Sequence, residues 1–171
     1  HSDIALEGLR LMIEKRSRVV LPYLLPKLLV TPMTTFHANA LASVCQVSGP
    51  VLHYNLDKIL PVLIREMSKA DVAGSVCGPD APEGTLGAAV WAAVSAVMLN
   101  ISDAGVQWLL PGLLKYVQSG TLNEQYVALL ALSHFLKETD ADYEDYLQTI
   151  LKNIIKGFAA EDAKVVKASW S

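Results

Sequence analysis

Leu56-Asp-Lys-Ile-Leu-Pro-Val-Leu-Ile64 decides the reading of this chain, because its apolar residues fall at offsets 0, 3, 4, 7 and 8 from Leu56. Those offsets place Leu56, Ile59, Leu60, Leu63 and Ile64 on one face of an α-helix, and Met67 extends that face by a turn. The same pattern recurs three times. Leu21, Leu24, Leu25, Leu28 and Leu29 fill it upstream; Val106, Leu109, Leu110, Leu113 and Leu114, followed by Val117, fill it downstream; Leu147, Ile150, Leu151, Ile154 and Ile155 complete the series. Proline occupies offset 5 in the first three copies, as Pro26, Pro61 and Pro111, and Lys152 replaces it in the fourth. A proline inside a helix removes a backbone hydrogen bond and bends the rod, so the repeated register predicts a set of curved or late-starting helices.

The four stretches start 35, 50 and 41 residues apart. That brackets the spacing of HEAT-type helical pairs, about 40 to 47 residues. Partner helices are expected at about residues 3–16, 34–48, 86–101 and 122–137, each forming an antiparallel hairpin with the stretch that follows it. The interval of 50 has a visible cause. Residues 68–85 carry three glycines and two prolines, lack a sustained helical period, and read as a mobile loop. At the other end, Glu161-Asp-Ala-Lys-Val-Val-Lys-Ala-Ser-Trp-Ser171 repeats the opening of a first helix and is similar to the HEAT signature in which an Asp precedes a Val-Arg pair. The fold expected is therefore all-α, a HEAT-type α-solenoid of about four helical hairpins plus the start of a fifth. The approximate repeats are 3–30, 34–67, 86–117, 122–158 and the opening at 161–171, and residues 1–171 read as a single segment excised from a longer solenoid.

Composition agrees. A chain of 171 residues that is 52% hydrophobic and 18% charged buries ample apolar surface, which excludes intrinsic disorder. The uncharged run from Gly84 to Ser102 resembles a membrane span in length only. Its bulky residues Val90, Trp91, Val94, Val97, Met98 and Ile101 recur at helical spacing with alanines between them, which describes a helix buried between neighbours. A net charge of −3 argues against binding through phosphate contacts. The charge is nevertheless uneven: residues 1–70 hold eight basic and five acidic side chains, the remainder six and twelve, so one end can attract an acidic partner. Cys45 and Cys77 stand 32 residues apart without a metal-ligand spacing, which favours a reducing, intracellular setting over a disulfide framework or a zinc site.

A family resemblance adds to this. Gly8-Leu-Arg-Leu-Met-Ile-Glu-Lys-Arg-Ser-Arg-Val-Val-Leu-Pro-Tyr-Leu-Leu-Pro-Lys-Leu28, with Ala38-Asn-Ala-Leu-Ala-Ser43 and Ile59-Leu-Pro-Val-Leu63, resembles the carboxy-terminal HEAT-repeat region of the general-control-nonderepressible translational activators. Asp142-Tyr-Glu-Asp-Tyr-Leu147 and the stretch from Glu161 to Trp170 are similar to the same region. The resemblance implies a cytoplasmic, ribosome-associated activator. It also implies that this segment docks the RWD domain of the amino-acid-starvation kinase, which phosphorylates the alpha subunit of translation initiation factor 2. Ribosome contact would fall to other parts of the full-length protein; neither nucleic-acid nor membrane binding is expected of the segment itself, and no cofactor is implied. The family depends on an arginine for docking. Arg18, ahead of Val-Val-Leu-Pro, and Lys27 match its pattern, so the partner-binding candidates are Arg18, then Arg16 and Arg10, with Lys27.

The residues carry no catalytic signature, and the chain is not expected to be an enzyme. His37, His53 and His134 are dispersed, and no nucleophile elbow, Gly-rich phosphate loop or HExxH accompanies them. The acidic run Glu138, Asp140, Asp142, Glu144 and Asp145 lacks the glycine and terminal Glu of a calcium loop and reads as a solvated turn with amide-capping side chains. Lys15-Arg16-Ser-Arg18 lies at a predicted helix end, where a plain capping role competes with a role as anchor for acidic groups. Tyr143 and Tyr146 are expected to pack in the core. The competing functional class is a generic HEAT-repeat adaptor of another intracellular assembly, which shares the periodicity but not the Arg18-to-Leu28 stretch.

Overall fold

A computed structural model describes residues 2–72 and 78–159. It is all-α, and the described elements are α1 (Ser2–Leu28), α2 (Thr35–Ser48), a 3-10 stretch (Gly49–Asn55), α3 (Leu56–Val72), α4 (Leu86–Asn100), α5 (Asp103–Ser119), α6 (Leu122–Glu138), a 3-10 turn (Glu144–Tyr146) and α7 (Leu147–Ala159). The expected start of a fifth hairpin at 161–171, and residues 73–77 of the expected loop, lie outside the described residues.

The apolar offsets are the core. In α3, Leu56, Ile59, Leu60, Leu63, Ile64 and Met67 are all buried, and in α5 so are Val106, Leu109, Leu110, Leu113, Leu114 and Val117. Of the first set Leu21, Leu25 and Leu28 are buried, with Leu24 and Leu29 packed against them. In α7 Ile150 is buried, while Leu147, Leu151 and Ile155 are exposed. The offset-5 prolines lie off this face: Pro26 and Pro111 are exposed and Pro61 is half-buried. Each therefore frees its carbonyl at i−4 on the side away from the core, where water can take the bond.

Two rows of helices result. In one, α4 lies between α2 and α6, with its most extensive packing on α2. The other row places α5 between α3 and α7. The rows meet chiefly where α5 packs on α6, α1 on α2 and α3 on α6. The alanines of α4 make the central position possible: Ala89, Ala93 and Ala96 are buried beside Val90, Trp91, Val94, Val97 and Met98, so neighbouring backbones approach closely on more than one side. No described helix is long and apolar enough to cross a membrane.

Local chemistry sets the helix starts. Thr34 caps α2 by accepting from the His37 amide at 3.3 Å, and Thr85 caps α4 by accepting from the Ala88 amide at 3.3 Å. Thr121 and Glu124 form a reciprocal capping box at α6, with bonds of 3.2 and 3.0 Å. The expected first pair is present within α1: two helices meet at Arg16, whose φ of −137° and ψ of 34° are non-helical, and Asp3, Glu7 and Arg10 of the first line one cleft with Leu24, Lys27 and Leu28 of the second. One detail differs from the expectation: α3 continues through Val72, so residues 68–72, expected in the loop, are helical. Ser68 sustains this by returning its hydroxyl to the Ile64 carbonyl at 2.8 Å.

Candidate docking surface

The break at Arg16 divides the basic cluster. Lys15 ends the first half of α1 and Arg16 is the break itself, where cations meet the negative helix pole. Arg18 instead opens the second half, at the positive pole, and capping does not account for it. Its guanidinium carbon lies 4.7 Å from the centroid of the Tyr54 ring, a cation–π contact between α1 and the 3-10 stretch. Tyr54 in turn stacks on His53, with ring centroids 4.2 Å apart.

The four candidates are exposed, and the structure does not bring them together. Arg10 and Lys27 line a cleft of about 420 Å³ between α1 and α2, with Phe36, His37 and the buried Ile13 and Leu28. Arg18 faces another direction, over Tyr54, and Tyr54 lines a separate groove of about 470 Å³ between the 3-10 stretch, α3 and α5. Among the described residues none of Arg10, Arg16 and Arg18 is held in an ion pair; the pair that is present is Lys69 with the buried Glu66, at 3.7 Å.

The groove was not anticipated from the residues. Trp108, 57% exposed, forms its α5 wall with Lys115 and Tyr116, opposite Asp57 and Pro61 of α3. Gly112 sits between those walls because α5 comes close to α3 there: a Cβ at this position would meet the Leu60 side chain at 2.9 Å. Tyr116 has its phenol pKa raised, first by partial burial and then by Glu124, with Arg65 opposing. One signal in the residues marks the groove. Trp108 occupies offset 2 of the third stretch, a position the pattern assigns to the solvent side.

The remaining polar groups have structural roles. His134 shares a hydrogen bond with the Ser95 hydroxyl at 2.9 Å and sits edge-on to Trp91; partial burial lowers its pKa, Glu138 raising it and Lys137 lowering it. His37 bonds the capping Thr34 hydroxyl at 2.7 Å. In the acidic turn, the Asp142 amide donates to Asp103 Oδ1 at 2.9 Å and the Glu144 amide to Asp142 Oδ1 at 3.0 Å, so these carboxylates cap backbone amides. Tyr143 and Tyr146 pack on the core, Tyr143 against Phe135. Cys45 is fully buried, which pushes its thiol up to about 12.

Stacked helical pairs with a shared core, exposed cations and an aromatic groove define a HEAT-type repeat array, a class whose working parts are its surfaces. Residues 20–171 match the model of the family described as stalled ribosome sensor GCN1-like, HEAT repeats, and the chain belongs to that family. It is 29% identical over 172 residues to the eIF-2-alpha kinase activator GCN1 of Saccharomyces cerevisiae. It is 29% identical over 170 residues to the stalled ribosome sensor GCN1 of Homo sapiens, and 28% over 169 to the protein ILITYHIA of Arabidopsis thaliana. These alignments cover 99 to 100% of this chain and 6% of each relative. No solved structure matches the chain.

Proposed function

We propose that this chain is a protein-docking segment of a longer HEAT solenoid, and that it recruits the RWD domain of the kinase acting on initiation factor 2 alpha during amino-acid starvation. The work takes place in the cytoplasm, on an activator whose other parts engage ribosomes. Membership of the GCN1-like family supports the reading, as does the name kinase activator carried by the yeast relative.

The observation that carries it is the setting of Arg18. An exposed guanidinium without a carboxylate partner, held over an aromatic ring, is oriented before any partner arrives. Its planar fork is then free to engage a partner carboxylate bidentately at reduced entropic cost. Arg16 lies two residues away and can contribute to the same field; Arg10 and Lys27 line the α1–α2 cleft beside Asp3 and Glu7, which offset their charge, so they are the weaker candidates. The test is a pull-down of this chain with the purified RWD domain of the kinase. Retention at moderate salt supports the reading. Failure to retain the domain would return the chain to the class of generic HEAT adaptors.

A further inference from the structure

The groove between α3 and α5 has three properties that folding does not require. Tyr54 and Trp108 stand on its rim 58% and 57% exposed, although large aromatics are costly to leave in water. Its cations have no carboxylate partners: Lys115 lines it, Arg18 lies over Tyr54 at one end, and Arg65 lines a hollow that continues it past Pro61 and Tyr116. Among the described residues none of these three forms an ion pair. The groove is also a formed hollow of about 470 Å³, floored where Gly112 lets α5 approach Leu60.

From these we infer that the groove is a docking site for a short acidic peptide segment of a partner protein, its apolar anchor seated between Tyr54 and Trp108 and its carboxylates facing Arg18, Lys115 and Arg65. Aromatic and arginine side chains in a preformed hollow are the groups that carry most binding energy at interfaces. Charge complementarity selects the occupant. The carboxylates along the same path are Asp57 and Glu124, and Glu124 is engaged by the Thr121 amide in the capping box. With Arg18, Lys115 and Arg65 against those two carboxylates, the path carries an excess of positive charge within a chain of net charge −3. A single-stranded nucleic acid, the other ligand that stacks on aromatics, brings a phosphate at every nucleotide and cannot avoid Asp57; a peptide can space its carboxylates around it. The groove shares Arg18 with the kinase-docking reading, but its walls are formed by α3 and α5, and its test, which contains no kinase and alters Trp108 and Lys115, can fail or succeed separately.

The experiment is selection from a phage-displayed random peptide library on the 171-residue chain. Enriched peptides are then titrated by fluorescence anisotropy against the parent, Trp108→Ala, Lys115→Glu and, as a control on α6, Lys137→Glu. The expected result is enrichment of peptides with net negative charge and an aromatic or aliphatic anchor. Trp108→Ala and Lys115→Glu should each weaken binding by about tenfold or more, Lys137→Glu leaving it unchanged. Lys115 is exposed, so its variant keeps the fold even where Trp108→Ala loosens it. The proposal is overturned by any of four results: no enrichment over bare support, enrichment of neutral or basic peptides, affinity equal to the parent's in both groove variants, or a short polyuridine RNA that binds the groove as tightly as the peptides do.

Discussion

Trp108 and Leu109 are neighbours in the chain and should respond to truncation with losses of very different size. Leu109 is 0% exposed at offset 3 of the third apolar face, and Trp108 is 57% exposed at offset 2. Leu109→Ala removes buried methyl groups from a site walled by α5's neighbours, which typically costs about 3 to 5 kcal/mol once the residual cavity is counted. For Trp108 the sum is smaller. A tryptophan can bury roughly 150–250 Å². The fraction removed from water here is worth at most about 2 kcal/mol at roughly 25 cal/mol per Å². Alanine's better helix propensity returns about 0.5 kcal/mol of that, leaving a net loss near 1 kcal/mol. For a chain of this size each kcal/mol shifts the melting temperature by about 2–4 °C, so Leu109→Ala should lower it by roughly 6–20 °C and Trp108→Ala by only a few degrees. Circular dichroism melts of the two variants beside the parent read this directly. Equal losses, or a larger loss at Trp108, would refute the assignment of the repeated offsets to the core and of Trp108 to the surface.

Ala93→Leu should destabilise by about 1–3 kcal/mol, read as a lower urea midpoint, because it forces a larger side chain into the fully buried face of α4. Thr121→Ala should cost about 1 kcal/mol in the same assay by removing one half of the α6 capping box. In a Cys77→Ser background, Cys45 should resist a thiol reagent at neutral pH until the chain is unfolded, since its thiol is fully buried with a pKa near 12. Because that value lies above the unfolded thiol's 9.0, Cys45 supports the fold fully below pH 9 and loses that support as pH rises towards 12, which pH-dependent urea titration detects as a falling midpoint.

What could be read from the residues followed physical strength of signal. Six apolar residues at helical spacing have one way to leave water together, so the faces of α3 and α5 are legible in the sequence alone. So is α4, because a helix of alanines interleaved with Trp91, Val94 and Met98 can sit only between neighbours. The acidic turn is legible because short carboxylates in a turn have backbone amides within reach, as Asp142 and Asp103 do. The break in α1 is legible in part: the basic cluster Lys15-Arg16-Ser-Arg18 reads as a helix end, although no glycine or proline marks the residue at which the chain turns. The extension of α3 through Val72 is hidden because the polar Ser68-Lys-Ala-Asp71 ends the apolar period while remaining helix-compatible. The contact of Arg18 with Tyr54 joins residues 36 positions apart, and no periodicity encodes it. The groove could have been suspected from Trp108 alone, a large aromatic at an outward offset.

The central claim, a preset arginine on a HEAT surface that receives the kinase's RWD domain, is tested most directly by titration calorimetry of that domain into the parent chain and into Arg18→Glu. Leaving the exposed Tyr54 ring costs the variant only about 0.5–1 kcal/mol of cation–π energy, so its melt should stay within a few degrees of the parent. Truncating an interfacial arginine paired with a carboxylate costs about 2–5 kcal/mol of binding, and reversal adds repulsion, so the account predicts a measurable complex for the parent and none, or one weakened by more than about thirtyfold, for Arg18→Glu. Equal heats and affinities for the two chains, or no heat with the parent, would contradict it.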